Sequence, residues 1–179
     1  MHRALLLAAA TVVGLGIGIA ELTACGDMVL RPGHSQRVRG YAPLYPAASI
    51  LLYVPEGVRP NDVKASHEFQ TMLTKRGGHP TLVVHGIDAL RNALAASRPD
   101  MIITRLNDAA TVRAAAADAP ARPDVVPFAS KTTSKAMLQQ TEREYRHMLV
   151  EGLFIEEILE RLDHVMEPRR RGTQPALSR

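Results

Sequence analysis

Five polar residues follow the apolar runs of this sequence, close to the points where those runs end. The runs are short and continuous, which is typical of buried strands. When parallel strands alternate with helices, their carboxyl ends meet at one edge of the sheet and form a crevice. We therefore expect a crevice lined by Glu56, Arg105, Asn107, Ser130 and Lys131. Arg105 and Lys131 would bind a small anion there; in the simpler alternative, Arg105 pairs with Glu56 and the ion pair fills the space.

No other combination of residues predicts catalysis. No two of the seven histidines combine the helical spacing of a ligand pair with a third acidic or cysteine ligand, as a metal site needs. The hydroxyl residues between Ser130 and Ser134 lack a Gly-x-Ser-x-Gly turn, and no glycine-rich phosphate loop follows a strand. We expect a protein that is not an enzyme and has no catalytic residue, metal or cofactor.

Cys25 is the one cysteine of the chain and follows an apolar N-terminal segment. Arg3 gives a positive start, residues 4–20 carry no charge, and small residues come directly before the cysteine. This layout is typical of a secretory signal rather than of a helix in a folded domain. The sequence therefore predicts a signal peptide over residues 1–24.

Residues 22–25, Leu-Thr-Ala-Cys, resemble the lipobox of bacterial lipoproteins. The resemblance implies that Cys25 carries several acyl chains, palmitate among them, which anchor far more firmly than a single chain. It also implies the periplasmic face of the outer membrane, because Gly26 rather than aspartate follows the cysteine. Glu21 and the arginines after the cysteine keep an alternative open, which is an uncleaved anchor in the inner membrane.

A flexible tether is predicted over residues 25–48, because they are rich in proline and glycine and have no sustained apolar period. From residue 49 onwards, apolar runs at 50–54, 81–84, 101–104 and 124–129 alternate with helical patterns. Continuous apolar strands between helices predict a parallel sheet with helices on both faces. The predicted fold class is α/β, with about four strands.

Two stretches carry a second resemblance: Gly-Ile-Asp-Ala-Leu from Gly86, and Ser-Arg-Pro-Asp-Met-Ile-Ile from Ser97. With them, residues 49–131 resemble the receiver domain of two-component response regulators, which is flavodoxin-like. A receiver has an acidic pair after its first strand and a phosphoacceptor aspartate ending its third. Here Glu56 is the single acid where the family has its acidic pair, and Arg105 occupies the position of the phosphoacceptor aspartate. The family's last strand and its lysine have no clear counterpart, so the resemblance implies a degenerate receiver without phosphorylation.

The segment 132–167 is predicted to form one long amphipathic helix, because apolar residues recur in steps of three and four without proline or a turn cluster. At 1.5 Å per residue it would be about 50 Å long, more than a small domain covers. The alternative is that the helix docks on its own sheet. A projecting stripe predicts self-association, or binding of another protein, through Tyr145, Met148, Ile155, Leu159 and Leu162. Residues 168–179 are predicted to be a disordered basic tail.

The net charge of +4 is spread along a chain with 4% aromatic residues, which argues against nucleic-acid binding. The favoured function is a non-catalytic interaction or scaffold module, lipid-anchored in the cell envelope. Its partners would be the membrane, through the lipid on Cys25, and another protein or a second copy of itself. The alternative is a small-anion-binding lipoprotein that resembles one lobe of a periplasmic solute-binding protein.

Overall fold

The structure is a computed structural model, and it describes residues 42–171. Strands and helices alternate along this part of the chain, as the sequence pattern predicts. The strands are β1 (Ile50–Val54), β2 (Thr81–His85), β3 (Met101–Arg105), β4 (Asp124–Ala129) and β5 (Leu149–Val150). The helices are α1 (Pro60–Gly77), α2 (Gly86–Ala96), α3 (Ala109–Ala117), α4 (Lys135–Glu144) and α5 (Ile155–Arg171).

All the strand pairs are parallel, and the sheet order is β2-β1-β3-β4-β5. Ile50 lies opposite both Thr81 and Met101, so β1 pairs with a strand on each side. This order is that of flavodoxin-like, doubly wound folds. The α/β class is therefore confirmed, and the described sheet has five strands where about four were predicted.

Each face of the sheet has its own core, which explains why the strands read as continuous apolar runs. On one face, Ile50 and Leu52 pack with residues of α1 and α5. On the other, Leu51 and Tyr53 pack with residues of α2 and α3. Each fully buried Leu or Ile side chain contributes roughly 1.5–3 kcal/mol relative to exposure. The helices thus hold the strand ends in fixed positions on both sides of the sheet.

The prediction of one helix over 132–167 is wrong. This segment forms α4, the short strand β5 and α5. Tyr145, directly after α4, has extended backbone angles, and β5 then pairs with the end of β4. Gly152 has a φ of +97°, which turns the chain between β5 and α5. Part of the predicted apolar stripe lies on α5, and α5 packs this face on its own sheet.

The five residues assigned to a partner-binding stripe are all buried inside the domain. Their relative exposures run from 0% for Leu162 to 9% for Met148, with Tyr145, Ile155 and Leu159 between them. Because Leu159 and Leu162 share one core cluster with Ile50, α5 completes this domain. The predicted boundary at residue 131 is therefore wrong as well, and the domain extends through α5.

A strap, residues 44–49, leads into β1 and is bonded to the domain. The Leu44 amide donates to Asp163 Oδ2 at 3.0 Å, and the Ala48 amide donates to His79 Nδ1 at 3.0 Å. The Ser49 amide donates to Asp100 Oδ2 at 2.8 Å. The tether predicted up to residue 48 is thus ordered over its last residues.

Several predictions lie outside the described residues. They are the signal peptide, the lipid on Cys25, the tether up to residue 41 and the basic tail from residue 172 onwards. The first four residues of the tail predicted over 168–179 belong to α5, so the prediction of disorder is wrong for them. Within residues 42–171, no helix combines the length and the apolar character needed to cross a bilayer.

Candidate functional site

A cavity of about 150 Å³ lies at the carboxyl ends of β1, β3 and β4, beside the switch point between β1 and β3. Its floor is apolar and includes Leu52, Ile103 and Phe128. One wall comes from the first half of α1. The polar residues that line it are Asp62, Ser66, Thr104, Arg105, Asn107, Ser130 and Thr133.

Three of the five predicted crevice residues, Arg105, Asn107 and Ser130, line this cavity. Glu56 does not, because it lies against the first residue of α2. A Cβ atom on Gly86 would lie 2.7 Å from Cγ of Glu56, so that position has no room for a side chain. Lys131 is not part of the cavity lining either, since its Nζ lies 3.7 Å from Glu151 Oε1 and its amide donates to Glu151 Oε2 at 3.0 Å.

Arg105 pairs with Asp62 rather than with Glu56, so the expected Arg105–Glu56 ion pair is wrong. Arg105 Nη2 lies 3.3 Å from Asp62 Oδ2. Arg59 holds the same carboxylate with two bonds, from Nε to Oδ2 and from Nη2 to Oδ1, both 3.3 Å long. The Asp62 side chain is 5% exposed, so this carboxylate is buried under two guanidinium groups. We call these three residues the ion cluster.

The pKa of Asp62 lies below its ordinary value. Burial alone would raise it, but hydrogen bonds from Arg59 and Arg105, and their charges, together outweigh the burial. Asp62 is therefore a fixed anion at neutral pH and is unsuited to proton transfer. The nearby Asp108 behaves differently, because burial raises its pKa while the charge of Arg105 opposes the rise.

Asp62 reaches the cavity through the geometry of α1. The helix begins after Arg59 with Pro60, whose fixed φ suits the first helical turn. Asp62, Ser66, Phe69 and Leu73 recur in steps of three and four and are the buried residues of one helix face. That spacing was a usable signal in the sequence, and it places Asp62 on the sheet side of the helix.

The loop after β4 adds a group of hydroxyls. Ser130 Oγ lies 2.8 Å from Thr132 Oγ1 and 3.4 Å from Thr133 Oγ1. Ser134 Oγ accepts the Met137 amide at 3.3 Å and so caps the N-terminus of α4. Thr104 also lines the cavity and is 1% exposed, and no sequence pattern indicated it.

Two positions can be compared with the receiver domain that the sequence resembles. Arg105 ends β3, where the family has its phosphoacceptor aspartate. The last strand, which had no counterpart in the sequence, is present as β5, and the residue that follows it is the acidic Glu151. Within the described part of the chain, no three His, Cys, Asp or Glu side chains are grouped as metal ligands. What remains is a polar cavity with one buried, fully ionised carboxylate.

Neither a scan of protein-family models nor a search of curated proteins finds a match to this sequence. Among solved structures, the chain is similar to the crystal structure of a pilus assembly protein CpaE from Caulobacter crescentus CB15. The TM-score is 0.47 and the identity 16%, over 67% of this chain and 94% of the other. The order of the strands, rather than this similarity, defines the α/β, flavodoxin-like architecture.

Proposed function

We propose that this chain is a membrane-anchored, non-catalytic module that binds another protein in the cell envelope. The observation that supports it most directly is the ion cluster at the switch point. In the fold that the sequence resembles, this place holds the phosphorylation chemistry. Here Arg105 stands at that place and pairs with the carboxylate of Asp62.

Acetyl phosphate with Mg²⁺ tests the absence of phosphorylation. Arg105 has no carboxylate that could form an acyl phosphate at the end of β3, so the intact mass of the full-length chain is expected to stay unchanged. A phosphorylatable receiver treated in parallel serves as the positive control. A phosphoryl adduct on this chain would contradict the non-catalytic role.

The surface proposed to bind a partner is α4. The α5 stripe is covered by the sheet, whereas Thr141 is the one buried residue of α4. Met137 is a large apolar side chain that is 49% exposed on this helix. The α4 helix follows directly after the hydroxyl loop at the cavity, so a partner bound there would contact the same edge of the sheet.

A photo-crosslinking residue at position 137 tests this surface in cells. One discrete crosslinked product is expected at 137 and none at position 92, since Asn92 is an exposed residue of α2 on another part of the surface. Equal products at both positions, or none at either, would count against α4 as the interface.

The anchor is tested separately at Cys25. Because the lipid would be attached through the cysteine sulfur, Cys25→Ser is expected to abolish palmitate labelling. Undiminished labelling in the Ser variant would remove the anchor from the proposal and leave the rest of it standing.

A further inference from the structure

Arg105 is not needed to neutralise Asp62. Arg59 already binds both carboxylate oxygens, at 3.3 Å each, and Arg105 shares one of them through Nη2. Two guanidinium groups therefore meet one buried carboxylate at the mouth of the cavity. Asp108 acts on Arg105 from farther away, without an ion pair among the described residues. Arg105 is 41% exposed, so part of its donor surface faces the open side.

The rim near Arg105 carries neutral groups that suit an anion. Ser130 and Thr133 line the cavity with hydroxyls, and Asn107 adds an amide. Hydroxyls and amides donate to carboxylate oxygens without adding charge, and a guanidinium binds a carboxylate with two parallel bonds. The rim thus has one strong cationic donor and several weaker neutral ones.

The floor of the cavity has the opposite character. Leu52, Ile103 and Phe128 present apolar surface to it. The cavity volume of about 150 Å³ is that of engineered cavities which bind benzene. An inorganic phosphate ion would place its charge against this floor, whereas a carboxylate with a small hydrocarbon group would match both parts.

We propose that the cavity binds a small monocarboxylate, with its carboxylate on Arg105 and its hydrocarbon group on Phe128 and Leu52. The hydrocarbon part is limited to about the size of a benzene ring by the volume. This ligand goes beyond the interaction role, because a module that binds only a protein needs no small molecule in the switch-point cavity. The two proposals can therefore fail independently.

Amide NMR of the full-length chain tests the site, with benzoate, isobutyrate, benzamide and inorganic phosphate as probes. Benzoate and isobutyrate are expected to give saturable shifts at residues 104–107 and 128–133. Benzamide has the shape of benzoate without its charge and is expected to bind at least tenfold more weakly. Phosphate is expected to show no saturable shift in the same concentration range.

Arg105→Gln is expected to weaken benzoate binding at least tenfold, and Arg105→Lys less. Arg91→Gln is the matched control, since Arg91 is an exposed arginine on α2 paired with Asp88, and it is expected to leave binding unchanged. Should Arg105→Gln fail to fold, Ala65→Met provides a second test, because Ala65 lines the cavity and a longer side chain fills it.

Three results would overturn the proposal. They are the absence of saturable binding by either carboxylate, equal affinity of the wild type and the folded Arg105 or Ala65 variant, and phosphate binding tighter than benzoate. Each of them leaves the tests at α4 and Cys25 unaffected, so the failure of this site is distinguishable from the failure of the interaction module.

Discussion

The two edges of the sheet both bury charged or polar side chains, but they satisfy them differently. At the carboxyl edge, Asp62 is buried between the guanidinium groups of Arg59 and Arg105. At the amino edge, His79 and Asp163 are each 1% exposed and accept backbone amides of the strap. There, His79 Nε2 and Asp163 Oδ1 have no hydrogen-bond partner among the described residues. Paired charges at one edge and half-satisfied polar side chains at the other predict different responses to mutation and to acid.

The largest expected effect is at the amino edge. His79→Ala removes a fully buried ring and leaves the Ala48 amide without its acceptor, so the free energy of unfolding should fall by about 3 kcal/mol. Urea denaturation followed by circular dichroism measures it. His67→Ala, at an exposed position of α1, should change it by less than about 0.5 kcal/mol. Similar losses in both variants would mean that the strap bond contributes little.

A smaller loss is expected in the ion cluster. Asp62→Ala should lower the free energy of unfolding by about 2 kcal/mol, below the usual cost of breaking a buried pair. The reason is that Arg59 and Arg105 are 66% and 41% exposed and can turn to water. Asp88→Ala breaks an exposed pair with Arg91 and is the control, with an expected change under about 0.5 kcal/mol. A loss larger than that of His79→Ala would reverse the ranking of the two edges.

The two edges of the sheet should lose their contributions to stability in different pH ranges. Burial lowers the pKa of His79 below its ordinary 6.5, although Asp163 opposes this. The unfolded chain then takes up a proton that the folded chain does not, so stability falls as the pH drops below 6.5, by at most about 1.4 kcal/mol per pH unit for this group. Asp62 contributes above its ordinary pKa of 3.8, and its contribution is lost as the pH falls below that value.

His147 acts in the same direction as His79. Burial and then Arg146 lower its pKa, while Asp124 opposes them. His79→Gln should therefore reduce the slope of stability against pH between 6.5 and 4 without abolishing it, as measured by urea denaturation at a series of pH values. Identical slopes in the variant and the wild type would exclude His79 as a source.

The smallest effect is expected at Arg105. Because Arg59 still holds both oxygens of Asp62, Arg105→Gln should lower the free energy of unfolding by less than about 1 kcal/mol. A double-mutant cycle with Asp62→Ala isolates the pairwise term. A coupling energy above about 2 kcal/mol would show that Arg105 is part of the structural support rather than a free donor at the cavity.

Much of the fold could be predicted because the pattern of apolar residues along the sequence follows their burial in the structure. The fourth strand was predicted over Asp124–Ala129, the bounds that β4 has. The strand β5 was missed because it is two residues long, and the apolar run from Met148 to Val150 is too short to stand out from the helical pattern around it. The prediction of a partner-binding stripe failed because a helix that packs on its own sheet shows the same stripe as one that binds a partner. The chain turns at Gly152, a residue inside the segment predicted to be one helix.

The site was predicted in part for a similar reason. The ends of β3 and β4 follow from the topology, and Arg105, Asn107 and Ser130 line the cavity there. Their partners depend on tertiary distance, which spacing along the chain does not give. Glu56 is near β1 in sequence, whereas Asp62 comes from the first turn of α1. The buried face of that helix was the signal that could have shown it.

The strap fixes the edge of the sheet at which the chain enters the domain. The chain enters β1 at Ile50, and the bonds of Leu44 and Ala48 fix that approach along the amino edge of the sheet. Five strand residues at about 3.3 Å each then separate this edge from the cavity at the far end of β1. If the chain that precedes the strap is held at a surface, the amino edge of the sheet lies next to that surface. Its cavity and the start of α4 then face outward, and freeing the strap would let that outward face tilt.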